Sequence, residues 1–443
     1  VKVALVATEP TDRLLRGRLG RGLADATLIA ELAQLAAACS EAGFEAKIFD
    51  GRRLPGPDLV GAVHTWSPDV VIVASDDERW PTAVRLVPRI ARSLAAPVVL
   101  TGPFARQFPE HALEACPSAR CVIVSAGPDA AIELLDRFAL GSTLAGVGGV
   151  ARRAGEQILP AMRRPSPADP PVEPDLHAVR CSEGEERPTW PPIGLYVGDR
   201  SHRLDAVVLV GLLEEIAVRW PERPAMVLDP TLPLDDSWIA EAAARVSDRK
   251  RTAPWSAPLS VGGVTPWVAQ QLAEAGCGWV DLNLGSLAED HPGKDDRTVA
   301  ADAMRAVQRL HERGIRVRCR FVVGAPGSSP RTIPSMVDFA LHNKIDEAAF
   351  SMYRPEPGSK AWKKLGWGPD SLVAAEMKPE RAVFLPAAFT SLGEVEAGWR
   401  AALTRFYGSP RWWMRPGGTG LLVHTGGRFV RSRISRLARI SVR

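Results

Sequence analysis

The stretch VKVALVATEP, Val1–Pro10, is a short apolar run closed by a proline, the pattern of a strand buried on both faces of a parallel sheet. An Arg- and Gly-rich loop follows. Leu28–Ala42 then carries apolar residues at helical spacing, and Gly43 stands where a helix C-cap is expected. The alternation continues outward, with strands expected at Ala46–Asp50, Asp69–Ala74, Pro97–Thr101 and Cys121–Ser125, and helices at Thr82–Leu94 and Asp129–Ala139. Strands alternating with helices predict an α/β fold with a doubly wound, Rossmann-like sheet. In such a sheet a ligand lies beyond the carboxyl ends of the strands, at the switch in strand order. That rule singles out the loops Thr8–Ala24, Ser75–Trp80, Thr101–Phe104 and Ser125–Asp129, which are rich in small residues, Gly and Pro and suit close approach by a large ligand. No GxGxxG follows the first strand, which argues against a dinucleotide.

Prolines crowd the segment Pro160–Pro192 and exclude regular structure there. A second α/β series follows. Its expected strands are Ile193–Val197, Ala225–Asp229, Trp279–Leu284, Arg316–Val323 and Ala348–Tyr353, and its helices are Leu204–Val218, Asp236–Val246, Thr298–Arg313 and Thr332–Asn343. Thr265-Pro266 is the N-cap and first-turn pair of a further helix through Ala275. Units of this length predict a full or partial (β/α) barrel. The expected organisation is a first domain over 1–150, a linker over 151–192, a barrel over 193–370 and a C-terminal extension over 371–443.

The chain has 443 residues, 46% hydrophobic and 24% charged, with a net charge of +4, the balance of an ordinary globular protein of two or three domains. No uninterrupted apolar run reaches the roughly eighteen residues of a membrane span. The first residues read as a strand rather than a signal peptide, so the expectation is a cytoplasmic protein with no membrane partner. Arg428, Arg431, Arg433, Arg436, Arg439 and Arg443 form a basic tail. No nucleic-acid recognition motif accompanies it, and the expectation is a solvated or docking element rather than a nucleic-acid site. The six cysteines, Cys39, Cys116, Cys121, Cys181, Cys277 and Cys319, lack paired metal-ligand spacing and read as small buried hydrophobes.

The succession LVATEP, SEAGFEAKIFDG, SPDVVIVAS, VVLTGPFARQFPEHAL and VIVSAGPDAAIELL resembles the N-terminal cobalamin-binding domain of cobalamin-dependent radical-SAM enzymes. That family commonly reads GG-P-H after the fourth strand, here Thr101-Gly102-Pro103-Phe104, and GEGE after the fifth, here Ser125-Ala126-Gly127-Pro128. The second half, LAEAGCGWVDLNLGS, GIRVRCRFVVGAPGSSPRTI and MYRPEPGSKAWKKLG, is similar to the same family's barrel. Together the resemblance spans roughly Val1–Gly366. It implies cobalamin as cofactor, held at Thr8, Glu9, Ser75, Asp76, Asp77, Arg79 and the two turns just named. The lower face would meet the third-strand loop, although its charges would equally cap the next helix. A DxHxxG motif is missing, so no histidine on cobalt is expected. The resemblance further implies S-adenosylmethionine at Asn283, Gly285, Ser286, Gly324, Ala325 and Pro326.

Radical-SAM chemistry requires a four-iron cluster on three thiolates, usually spaced CxxxCxxC. Counted from Cys181 in RCSEGEERPTWPP, Arg180–Pro192, the other two positions hold Glu185 and Pro188. Proline offers no ligand and a carboxylate is a poor substitute for thiolate, so neither a cluster nor another metal site is expected. Three readings follow: a cobalamin enzyme without the cluster, acting on a small metabolite by methyl transfer or a cobalt-centred rearrangement or cyclisation; a non-catalytic cobalamin-binding partner subunit; or a two-lobed α/β transferase with its site in an interdomain cleft. Asp199, Asp229 and Tyr353 are the candidate catalytic residues, with Arg200, Trp255 and Asn283 nearby in the pattern; each fits a cap or core role as well.

Overall fold

A computed structural model describes residues 1–8, 18–51, 54, 56–125, 127–162, 173–177, 179, 193–198, 203–221, 223–229, 231–232, 236–249, 251–285, 296–378 and 380–413. The chain separates into two compact units, Val1–Asp229 with Gly368–Met377, and Pro230–Trp367 with Lys378–Arg443. These bounds differ from the expected segments, and the first unit extends past the prolines to include the start of the second α/β series.

In the first unit seven strands form one sheet: β1 (Lys2–Ala7), β2 (Glu45–Asp50), β3 (Val70–Ala74), β4 (Val98–Thr101), β5 (Ala119–Ile123), β6 (Val150–Ala154) and β7 (Gln157–Leu159), in the order β2-β1-β3-β4-β5-β6-β7. The first five are parallel, and β6 and β7 add antiparallel. The order 2-1-3-4-5 is doubly wound, with its switch point between β1 and β3. Central strands are buried along their whole length, VVIVA in β3 and VVLT in β4, because helices cover both faces. The core gathers Val71, Val73, Leu86, Val87, Ile90, Leu100, Phe104 and Leu113, together with Val373 from the helix Pro369–Glu376.

Two sequence expectations are corrected. The loop expected over Thr8–Ala24 is helical from Arg18, since the helix runs Arg18–Glu41. The segment expected to open the linker instead forms β6 and β7, whose register pairs Arg152 with Leu159 and Arg153 with Ile158. Arginines on a half-exposed edge hairpin hide the strand signal. Still in the first unit, β8 (Ile193–Leu195) and β9 (Ala225–Val227) pair in parallel, and Asp205 caps the helix Ala206–Arg219 by accepting from the Val207 N–H.

The second unit is built on four parallel strands in sequence order, β10 (Trp255–Leu259), β11 (Cys277–Gly285), β12 (Arg316–Val323) and β13 (Glu347–Met352). Strand β10 was not expected, because Pro258 in its middle lacks a ladder donor. Helices Pro266–Glu274, Asp296–Glu312 and Thr332–His342 connect the strands. Thr265 caps the first of these as expected, its hydroxyl accepting from the Val268 N–H at 3.1 Å. Side chains alternate across this sheet. Val317, Cys319, Phe321 and Val323 are buried on one face, where Phe321 meets Phe339 and Phe350 meets Phe406 of the helix Leu392–Tyr407. Arg316, Arg318 and Arg320 stand on the other face. No helix among the described residues is long and apolar enough to cross a membrane.

Candidate functional site

The carboxyl edge of the first sheet is knitted together by short polar residues. Thr8 takes its N–H and its hydroxyl to the Ala74 carbonyl, at 3.3 and 3.2 Å, across the switch point. Ser75 N–H donates to the Thr101 carbonyl at 3.1 Å, and the Thr101 hydroxyl reaches the Ile123 carbonyl at 3.5 Å. Gly102 has φ +95°, and a Cβ on it would stand 2.5 Å from the Ser75 carbonyl oxygen. Only glycine lets the β4 turn lie against the β3 turn so closely. Thr8, Ser75 and Thr101 are buried, while Asp76, Asp77, Pro103, Ser125 and Gly127 are half-buried and form the accessible part of the edge.

Charge on this edge is tied down locally. Arg79 is 1% exposed and pairs through Nη1 with the Asp76 carboxylate, which also accepts the Arg79 backbone N–H at 2.9 Å. Asp76 thus fixes the turn that leads into the helix Trp80–Ser93, whose N-cap position is Arg79. Phe104 is fully buried; its ring lies 4.5 Å from that of Trp80 and also meets Phe108 and His111. Its side chain serves the core. Glu9 and Ala126 lie outside the described residues.

Two further carboxylates of the first unit organise backbone and side chains. Asp229, just past β9, accepts the N–H groups of Val197 at 2.7 Å and Gly198 at 3.0 Å, clamping the turn after β8. Glu31 forms a bidentate pair with Arg106, at 2.7 and 3.0 Å, and lies 3.5 Å from the Tyr196 hydroxyl. Asp199 and Arg200 lie outside the described residues.

In the second unit the polar sheet face carries a buried ion cluster that sequence spacing did not reveal. Register sets Asp281 beside Arg318 and Arg318 beside Glu347. Arg318 lies 3.1 Å from each carboxylate, whose side chains are 4% and 3% exposed. Burial pushes the Glu347 carboxyl above its ordinary range, and the neighbouring Arg318 opposes this. Trp279 receives the guanidinium groups of Arg316 and Arg318 at 5.4 and 5.6 Å from its ring centroid. The period-two arginines of RVRCR were the one available signal.

Of the other predicted residues, Asn283 is exposed near the end of β11, and its side chain accepts the Gly285 N–H at 3.3 Å. Gly324, φ +77°, leaves β12 with Ala325 after it, and a Cβ there would meet Val395 at 2.7 Å. Tyr353 follows β13, half-buried, with its ring 5.2 Å from that of Phe384. Trp255 is buried and donates to the Ala275 carbonyl at 2.8 Å. Ser286 and the segment holding Cys181, Glu185 and Pro188 lie outside the described residues.

The remaining five cysteines are all buried thiols. Burial raises Cys39, Cys116, Cys121 and Cys277 to about 12, and Cys319 is also raised. No three ligand-type side chains among the described residues converge on a metal position. The described cysteines therefore do not fit an iron–sulfur cluster, which needs three accessible thiolates together. The edge of the first sheet, by contrast, fits a broad flat ligand. Its accessible side chains are short, its strand ends are packed backbone to backbone, and no histidine occurs in the turns after β3, β4 and β5.

Comparison with known proteins bears on this edge directly. Residues 30–135 match the B12 binding domain. An uncharacterized methyltransferase of Pyrococcus horikoshii is 22% identical over 344 residues, covering 72% of this chain and 74% of that protein. TsrM, a radical S-adenosylmethionine methyltransferase from Kitasatospora setae solved with cobalamin and a 4Fe-4S cluster bound, aligns with a TM-score of 0.64 at 16% identity, covering 90% of this chain and 85% of that one. The cobalamin-dependent S-adenosylmethionine radical enzyme OxsB, solved with aqua-cobalamin and S-adenosylmethionine, aligns with a TM-score of 0.62 at 12% identity over 85% of this chain and 55% of its own. The chain thus has a segment similar to the B12 binding domain, within a fold shared with these enzymes.

Proposed function

We propose that this chain is a cobalamin-dependent enzyme of the methyltransferase type that works without an iron–sulfur cluster, acting on a small metabolite by methyl transfer or a cobalt-centred rearrangement. S-adenosylmethionine is the candidate methyl donor. The observation that carries the reading is the carboxyl edge of the first sheet, inside the matched B12-binding segment, with Gly102 pressed on Ser75 and a rim of Asp76, Asp77, Pro103, Ser125 and Gly127. These residues would hold cobalamin through backbone and short polar groups, with no histidine toward the metal. When bound, the cofactor supplies a metal centre able to accept and release a methyl group. The names of the Pyrococcus horikoshii relative and of TsrM, both methyltransferases, support the same class of reaction.

Absence of the cluster is supported by the chain's own chemistry. Cys181 has no cysteine partner at either expected spacing, and the other five thiols are held protonated by burial. Protein loaded with hydroxocobalamin and desalted should keep a corrin absorption band; a colourless product would sink the cofactor assignment. Anaerobically purified protein should lack stoichiometric iron and sulfide, and finding both would overturn the cluster-free part.

A further inference from the structure

We infer that Arg320, with Asn283 beside it, forms an anion site on the polar face of the second unit's sheet that takes the carboxylate of a small ligand. The two residues are register partners on β11 and β12. They lie one step toward the carboxyl ends from the Asp281–Arg318–Glu347 cluster, so the cluster is the floor beneath them. Arg318 is consumed by that floor, 3.1 Å from both acids and 14% exposed. Arg320 is only partly engaged: its side chain is 38% exposed, and its ion pair with Asp281 is a long one, 3.8 Å, without a hydrogen bond.

Asn283 uses its oxygen on the Gly285 N–H, which leaves its amide N–H groups available. Ala349, the partner of Arg320 on β13, is small and exposed, and so is Ser351 beyond it. A forked guanidinium, an adjacent amide donor and a neighbour with no bulk make a bidentate carboxylate position. The charge balance selects a single negative charge. Among the described residues of β11, β12 and β13 on this face, three arginines, Arg316, Arg318 and Arg320, stand against two acids, Asp281 and Glu347, a surplus of one. A doubly charged phosphate would be under-neutralised, whereas a carboxylate closes the balance.

The inference rests on the reading of the chain as an enzyme for small molecules. The carboxylate could belong to S-adenosylmethionine or to an amino-acid substrate, and the test separates the two. Full-length protein loaded with hydroxocobalamin is titrated by calorimetry with S-adenosylmethionine against decarboxylated S-adenosylmethionine, and with L-tryptophan against tryptamine, in the native chain and in Arg320→Ala and Arg320→Lys. The native chain should prefer the carboxylate member of at least one pair. Arg320→Ala should weaken binding of that member roughly ten- to a hundredfold, the worth of a charged hydrogen-bonded contact, and leave the decarboxylated member unchanged. Arg320→Lys should fall between, since it keeps the charge and loses the fork. The pair that responds names the source. No carboxylate preference in either pair, or a preference that survives Arg320→Ala, would overturn the site. Retention of the corrin band and an unchanged melting temperature in the variants show that the fold and the cofactor reading stand independently of that result.

Discussion

Replacing Arg318 with methionine removes the cation that lies 3.1 Å from both buried carboxylates and leaves only the longer 3.8 Å approach of Arg320 to Asp281. Asp281 and Glu347 are 4% and 3% exposed at the side chain, so water cannot take the place of the guanidinium. Breaking a buried ion pair by deleting one partner costs about 3–5 kcal/mol, because the other charge is left without compensation. For a unit of about 150–250 residues that corresponds to a melting temperature lower by roughly 6–20 °C, read by differential scanning calorimetry. The pH dependence carries the sharper signature. Glu347 already titrates above its ordinary value through burial, with Arg318 pulling it down; without Arg318 it rises further. Between the ordinary and the raised value the folded variant binds more protons than the unfolded chain, so its stability falls as pH rises through that window. Acidification from pH 7.5 to 5.5 should therefore recover part of the loss in Arg318→Met relative to the native chain. A triple variant, Arg318→Met with Asp281→Asn and Glu347→Gln, should be more stable than the single one. A melting temperature within about 2 °C of native, or no recovery at lower pH, would refute the reasoning.

Gly102→Ala forces a side chain into a backbone region nearly confined to glycine and onto the Ser75 carbonyl. It should cost roughly 1–3 kcal/mol of backbone strain and, by parting the β3 and β4 turns, reduce retained hydroxocobalamin in the desalting assay. Asp229→Asn keeps the shape but loses the charged acceptor for the Val197 and Gly198 N–H groups; urea denaturation should show a loss of about 1.5–3 kcal/mol. Lost turnover with unchanged stability would instead restore Asp229 as a catalytic acid. Cys39, Cys116, Cys121, Cys277 and Cys319 should resist maleimide labelling in the native protein and label on denaturation, as their burial requires; peptide mapping after a short pulse checks this residue by residue.

What could be read from sequence depended on how local the cause was. VVIVA and VVLT declared themselves as strands because burial on both faces leaves almost only apolar, β-branched residues. Thr265-Pro266 declared a helix start because capping acts over three residues. The edge of the first sheet was also legible, since the doubly wound order assigns ligand loops before any side chain is placed. Features set by register were not. Asp281, Arg318 and Glu347 are scattered over three elements and meet only through the pairing of β11, β12 and β13. Asp229 at its strand end fits a catalytic or a cap role by sequence alone, and only the turn after β8, which occupies both its oxygens, shows its contacts. Phe104 stands in the turn after β4, and the direction of its ring, inward onto Trp80, belongs to packing. Strand β10 was masked by Pro258, and β6 and β7 by their arginines.

The helix Pro369–Glu376 lies in a stretch of chain that leaves the second unit after Trp367 and returns to it at Lys378, having placed Val373 in the first unit's core. The polypeptide thus crosses between the units three times. A protease cutting once near the first crossing would nick the molecule without liberating either piece, because the returning helix remains seated in its borrowed core. By the same token, a fragment ending at Asp229 would expose the apolar patch that Val373 covers, so the first unit is best produced with this helix supplied, either in the intact chain or as an added peptide.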